Sequence, residues 1–416
     1  MRRVLVLTHR LPYAPNRGDR LRVYHMLHHL RDHAEVELVS LVHDDEEASH
    51  VDDVKAFVTR VHALRVGRLR SGVNAALALT SRTPLTHALL DAPGMSATLR
   101  HIVDTNPPDV VFAYGSGMAR FAMEPPLDAF PLVLDFVDVD SRKWRDMAAA
   151  SSAPKSWIYR REAHTLGAFE ARAAERAMTS LVVNAREADN AHALAASANV
   201  RVLSNGVELD RLRPTGPPAD APRVVFCGVM SYEPNAEGMT WFVEKVWPFV
   251  RAARPDATLA VVGPDPSPAF RSLCSSDRSI TVAGRVPDVR DWLWGAAVGI
   301  APLHVARGVQ NKALEAIAAG LPIVITEAVA GGLPPDAAYA SFVANTPERF
   351  ANHVLDLLAL SPAQRRTIAQ SAELSGLTWS RTLQPLWPII ESAARRSKLV
   401  HTTHALASTR ARYGSV

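Results

Sequence analysis

Residues suited to phosphate and sugar hydroxyls crowd into one stretch of the second half of the chain. It reads Arg307-Gly308-Val309-Gln310-Asn311-Lys312-Ala313-Leu314-Glu315. The run continues to Gly320-Leu321-Pro322 and then Ile323-Val324-Ile325, the pattern of loop, helix, glycine stop and next strand. Gly308 lets the backbone come close to a ligand. Free N–H groups at the start of the following helix attract phosphate. Lys312 and Glu315 lie three residues apart and so share a helix face near that start. A lysine there suits phosphate charge, and a carboxylate suits a pair of ribose hydroxyls. The same spacing also fits a surface ion pair on an ordinary helix.

Three other places carry usable chemistry. Arg17-Gly18-Asp19-Arg20 follows the apolar run at residues 4–7, where a loop leaving a strand could offer guanidiniums for two-pronged phosphate contact. A solvated charged turn reads the same way. Gly263-Pro264-Asp265 and Gly284-Arg285-Val286 each follow an apolar run, where a base and ribose could sit or where a plain strand-to-helix turn would do. Asp138-Val139-Asp140 has the spacing of paired carboxylates that hold a divalent ion against a diphosphate. It equally places an aspartate at a helix start, with Ser141 as a rival cap, and no metal site is expected.

The elements that must hold these groups are short apolar runs alternating with longer amphipathic segments, the mark of parallel sheets covered by helices. The first half has such runs at residues 4–7, 36–41, 110–113, 132–134 and 181–183, with helix-like stretches at 21–31 and 155–177. The second half repeats the plan at 224–227, 259–262, 280–282, 298–301 and 323–325. Between the halves, Arg213-Pro-Thr-Gly-Pro-Pro-Ala-Asp-Ala-Pro222 is a linker by composition. A last helical stretch at 380–395, next to Trp379, carries Leu383, Leu386 and Ile390 at helical spacing. At 416 residues the chain accommodates two cores. Its 48% hydrophobic and 21% charged residues are ordinary for a globular protein.

A net charge of +4 with no basic run interleaved with aromatics argues against nucleic acid as a partner. The only cysteines, Cys227 and Cys274, make no disulfide framework, which fits a reducing cytoplasm. The apolar opening after Met1-Arg2-Arg3 is too short for a secretory leader and reads as a first strand.

The segment Gly308-x-x-x-Lys312-x-x-Glu315-Ala-x-Ala-x-Gly320-x-Pro322-Ile-Val resembles the donor site of glycosyltransferase family 4, retaining GT-B enzymes. Over residues 1 to 395 the chain is similar to bacterial sugar transferases of exopolysaccharide and exosortase systems. The matching pieces are Leu11-Pro-Tyr-x-Pro-x-x-Gly18-Asp-Arg20-x-Arg22, Asp135-Phe-Val-Asp138-Val-Asp140-Ser141, Ser204-Asn205-Gly206-Val207 and Gly228-Val-Met-Ser-Tyr-x-Pro234-Asn235.

The resemblance implies an α/β GT-B architecture, two Rossmann-like parallel-sheet domains facing a cleft. Residues 1–206 would be the acceptor-side domain, 207–222 the linker and 223–378 the donor domain. A helix at 379–396 would return to the first domain, and 397–416 would be a disordered tail. The implied activity is retaining, metal-independent transfer of a sugar from a nucleotide-sugar donor to a glycan or lipid-linked acceptor. No resident cofactor is expected, and the location would be the cytoplasm or the inner face of the membrane. A nucleotide-sugar 2-epimerase and a non-catalytic binding protein are the alternatives.

Catalytic roles would fall to Asp138 and Lys312. Substrate binding would fall to Gly18, Arg20, Gly228, Arg285, Arg307, Gly308, Val309, Gln310, Asn311 and Glu315. Against the family pattern, Arg307 stands where a first carboxylate is usual and Val137 where a histidine is usual. Val229 and Glu237 stand where a basic clamp would be. Finally, His25, His28, His29 and His33 have metal-ligand spacing without a completing carboxylate or cysteine, so they read as a solvated or acceptor-facing helix face.

Overall fold

The computed structural model describes residues 1–13 and 18–395, excepting the side chains of residues 19, 68–71 and 150. Arg17 and the tail 397–416 lie outside the described residues. The chain divides into two compact units: Met1–Ser204 with the chain from Leu383 onward, and Asn205–Thr382.

The first unit is built on a seven-stranded sheet. In chain order its strands are β1 (Arg2–Thr8), β2 (Ala34–Val42), β3 (Arg60–Arg65), β4 (Val110–Tyr114), β5 (Leu132–Val137), β6 (Thr179–Val182) and β7 (Val200–Val202). They lie side by side as β3-β2-β1-β4-β5-β6-β7, and every pairing is parallel. Val4, Leu5, Val6 and Leu7 are all at most 1% exposed because helices cover both faces of β1.

The second unit repeats the plan with β8 (Arg223–Cys227), β9 (Thr258–Val262), β10 (Ile280–Gly284), β11 (Val298–Ala301), β12 (Ile323–Ile325) and β13 (Ser341–Val343). The order is β10-β9-β8-β11-β12-β13, again parallel throughout. In both sheets the order reverses direction beside the first strand of the unit. At such a reversal the loops at the strand carboxyl ends diverge and leave room for a ligand.

Three strands escape the apolar-run criterion: β3, β7 and β13. Each lies at a sheet edge, and none has a fully buried face-to-face run. The helical stretch read at 380–395 is also not continuous. A helix covers Trp379–Thr382, a turn holds 383–385, and a helix resumes at 386–395. Pro385 explains the break, since it offers no N–H to continue the ladder. In the first unit the His33 ring stacks on Trp387 at 5.4 Å.

In the second unit Val207 bridges to Thr378. A Cβ on Gly206 would lie 2.5 Å from the Trp379 backbone, so only glycine permits that approach. The indole N–H of Trp294 donates to the Leu212 carbonyl at 2.8 Å, tying the helix Leu209–Leu212 to the same unit.

Candidate functional site

The reversal in the second sheet lies between β8 and β11, and the chain leaves their carboxyl ends through loops 228–232 and 302–310. Glycines end three adjacent strands there. Gly228 N–H donates to the Val262 carbonyl at 2.9 Å, and Gly263 N–H donates to the Gly284 carbonyl at 2.8 Å. Gly263 has φ +146° and Gly284 φ +70°, conformations that L side chains rarely adopt. A Cβ on Gly263 would stand 1.9 Å from the Gly228 carbonyl oxygen. This edge of the sheet is therefore bare backbone.

The loop after β11 turns at Gly308, φ +60°, and enters the helix Asn311–Ala318. Gln310 occupies the cap position with extended backbone but makes no side-chain cap hydrogen bond. Its amide instead donates to the Arg307 carbonyl at 2.7 Å and accepts from Lys312 Nζ at 3.2 Å. Lys312 also donates to Asn235 Oδ1 at 2.8 Å, and Asn235 in turn donates to the Val229 carbonyl at 2.8 Å. Asn235 sits in the first turn of the helix Glu233–Trp241, which follows β8. One lysine thus joins the two helices that flank the reversal, with the Phe226 ring 5.6 Å from its ammonium.

Burial pushes the Lys312 pKa down to about 8, against the opposing charges of Glu315 and Cys227. Burial likewise raises the Glu315 carboxyl, offset in part by Lys312. The Cys227 thiol is pushed up to about 12 by burial, so it stays protonated and is no nucleophile at neutral pH. The hydrogen bonds of Lys312 go to neutral amides, and its charge is held in a poorly solvated place. A cation so placed, beside a helix start with no side-chain cap, favours an incoming anion.

Most of the residues singled out from sequence meet at this place. Gly228, Gly308, Val309, Gln310, Asn311, Lys312 and Glu315 sit on the two loops and the helix start, and Arg307 lies partly buried in the same loop. Asn311 Oδ1 accepts from Asn205 Nδ2 at 3.0 Å, so the Asn205-Gly206 segment supports the helix start. Arg285 is exposed just beyond the β10 end. Sequence spacing does not single out Asn235 or Cys227 as site residues. The signal for Asn235 was a polar residue in the first turn of a helix that follows a strand-ending glycine.

Gly18, Arg20 and Asp138 belong to the first unit. Gly18 opens the helix Gly18–Arg31 and is exposed. Arg20 is buried, its Nη2 3.4 Å from Glu47 Oε1. Glu47 also accepts the N–H groups of Leu11 at 3.1 Å and His43 at 2.8 Å. Asp138 follows an unusual turn: Val137 has φ +64°, and the Asp138 N–H returns to the Phe136 carbonyl at 2.8 Å. That is a γ-turn centred on a β-branched residue, which is strained. Asp135 holds it, accepting from Val137 N–H at 3.0 Å and from Arg22 Nε at 2.8 Å.

Asp140 takes Lys143 Nζ at 2.9 Å. The histidine row packs among rings, His28 on Tyr24 and Phe57 at 4.4 Å each. Among the described residues no three His, Cys, Asp or Glu side chains are placed to hold a metal ion.

Residues 221–360 match the family model described as glycosyl transferases group 1. The match falls within the second unit. The matched region runs from β8 to the helix Pro347–Ala359 and includes the whole glycine edge and the Lys312 helix. No curated protein matches the chain by sequence.

Solved structures resemble most of the chain. Sucrose-phosphate synthase from Thermosynechococcus elongatus aligns with TM-score 0.67 and 16% identity, covering 98% of this chain and 100% of that one. HepE of Anabaena in complex with UDP aligns with TM-score 0.64 and 13% identity over 94% and 100%. WaaG, a glycosyltransferase involved in lipopolysaccharide biosynthesis, aligns with TM-score 0.59 and 16% identity over 94% and 98%. At these identities the likeness is one of fold, that of GT-B glycosyltransferases. Among the described residues no helix is long and apolar enough to cross a membrane.

Proposed function

We propose that this chain transfers a sugar from a nucleotide-sugar donor to a glycan or lipid-linked acceptor, with retention of anomeric configuration. The acceptor would belong to exopolysaccharide or cell-surface polysaccharide synthesis at the inner membrane face. The observation that carries the donor assignment is Lys312. It is a poorly solvated cation beside a helix start with no side-chain cap, at the reversal of the sheet, within the group 1 match.

In this reading the helix N–H groups and Lys312 hold the donor diphosphate, and Glu315 takes the ribose hydroxyls. The glycine edge lets the nucleotide lie against backbone, with Arg285 and Arg307 as further cations. HepE has been solved with UDP and with UDP-glucose, which makes a uridine donor the first to test. As the bond between the anomeric carbon and the phosphate oxygen breaks, its electron pair leaves on the diphosphate, the acceptor hydroxyl oxygen bonds to the anomeric carbon from the same face, and its proton passes to the departing phosphate oxygen. Fixed donors and a fixed cation stabilise that charge without reorganising. Asp138 is assigned to the reacting sugar. The proposed reaction needs the donor and the acceptor, with no resident cofactor or metal.

Product analysis separates the competing chemistries. Donor incubated with a lipid-linked or glycan acceptor should give a glycosylated product and free nucleoside diphosphate. An epimerised sugar from donor alone would replace this reading with the 2-epimerase, and donor binding with no product from any acceptor would replace it with a binding protein.

A further inference from the structure

Between Asp53 and Asp91 the chain carries six Lys and Arg residues and no Asp or Glu, a surplus larger than the +4 of the whole chain. Residues 142–161 add six more against a single acid, Asp146. Both stretches belong to the first unit.

The same stretches expose apolar side chains. On the helix Arg68–Ala78, Val73 and Leu77 are 60% and 66% exposed. They are four residues apart and so share one face. Trp157, in the first turn of the helix Lys155–Arg176, is 67% exposed, with the exposed Ile158 beside it.

Arg161 brings the two helices together. Its guanidinium donates to the carbonyls of Ala78, of Leu79 at 3.2 Å, of Ser81 at 2.6 Å and of Thr83 at 2.9 Å. The next residue, Glu162, is buried and accepts the N–H groups of Leu85 at 2.6 Å and Thr86 at 2.9 Å. The end of one helix is therefore latched to the first turns of the other, with Trp157 one turn from the latch. Arg82, Lys155 and Arg160 are exposed around it.

We propose that this surface docks on an anionic lipid bilayer, with Trp157 and Leu77 entering the interface. A tryptophan and aliphatic groups held in water by a fixed scaffold point to a partner. Tryptophan settles at the headgroup level, where its ring is apolar and its N–H stays wet. The exposed cations Arg82, Lys155 and Arg160 around the latch select the charge of that partner, because basic segments are drawn to anionic headgroups. The proposal gives the membrane-side part of the proposed function a place on the molecule and rests on that reading. Lipid binding needs neither donor nor acceptor, so either can fail alone.

The test is co-sedimentation of the full chain with vesicles of phosphatidylcholine alone or with about a third phosphatidylglycerol. The wild type should bind the anionic vesicles and release as salt rises. W157S/L77S and, separately, R82E/R160E should each bind about tenfold more weakly or worse, with unchanged melting temperature and unchanged UDP binding. Failure of the wild type to bind anionic vesicles would overturn the proposal, as would undiminished binding in both variants. A wild-type dimer that W157S/L77S converts to monomer, without lipid binding, would overturn it in favour of self-association.

Discussion

The two units share a strand plan but treat their exposed backbone N–H groups differently. In the first, four buried glutamates take several of them, though Met95–Thr105 and Ser116–Ala122 start without a side-chain cap. Glu47 serves Leu11 and His43, Glu162 serves Leu85 and Thr86, Glu187 serves Val139 at 3.0 Å, and Glu170 serves Ser141 at 3.2 Å. In the second, Ser267, Thr326, Thr346 and Ser361 cap four helices away from the reversal, while Arg290–Trp294 starts without a side-chain cap. The two helices flanking the reversal, Glu233–Trp241 and Asn311–Ala318, have no side-chain cap hydrogen bond. A donor already paired with a buried carboxylate has nothing to give an anionic ligand, and anions are repelled from it. A helix start without such a partner, with a desolvated lysine beside it, is arranged for one.

The sharpest way to break this contrast is to remove the cation. Lys312→Ala should lower turnover of sugar transfer by about a hundredfold to a thousandfold, the usual range for losing a group that stabilises transition-state charge. Steady-state kinetics, with circular dichroism to confirm the fold, would show it. Turnover within a few-fold of wild type would remove Lys312 from the chemistry.

Gly263→Ala attacks the bare edge. Its Cβ would meet the Gly228 carbonyl oxygen at 1.9 Å, so the backbone must move. We expect a loss of about 3 kcal/mol or more in urea unfolding, together with weaker nucleotide binding.

On the other side of the comparison, Glu187→Ala should cost about 1–3 kcal/mol by leaving the Val139 N–H buried without its partner. Its nucleotide affinity should not change. A loss of affinity there would blur the division between filled and open helix starts.

Glu170 gives a pH-dependent effect with a definite sign. Burial, and then the nearby Asp140 charge, raise its pKa from 4.5 to about 8. Between those values the unfolded chain has released the proton while the folded chain keeps it. Stability present below pH 4.5 is therefore lost as pH rises towards 8, by up to about 1.4 kcal/mol per unit. Glu170→Gln should flatten that loss in melting temperatures taken from pH 5 to 9, and an unchanged slope would assign it elsewhere.

Much of this was legible beforehand, for reasons that differ by residue. The central strands announce themselves because burial on both faces demands unbroken Val, Leu and Ile. Edge strands such as β3 and β13 are half-buried, and their mixed residues carry no such signal. The loop from Arg307 into Lys312 was readable because glycine, lysine and glutamate at that spacing serve phosphate and ribose on any helix start. For the partner Asn235 the sequence offered only a polar residue in a first helical turn, since its bond to Lys312 depends on β8 and β11 being neighbours in space. The buried glutamates were hidden for the same reason: Glu162 meets Leu85, seventy-seven positions away. The turn at Val137 could not be foreseen either, because valine is among the residues least suited to positive φ.

The most direct test of the central claim is a calorimetric titration of UDP, with GDP, TDP and ADP alongside, into wild type and Lys312→Ala at pH 7 and pH 9. With its pKa at about 8, Lys312 is charged at the lower pH and largely neutral at the higher, and a bound diphosphate would restore its proton. The account predicts that one nucleoside diphosphate binds wild type, that affinity falls up to about tenfold per pH unit above 8, and that Lys312→Ala binds weakly with no such slope. Equal binding by wild type and variant at both pH values, or no binding by any of the four nucleotides, would contradict it.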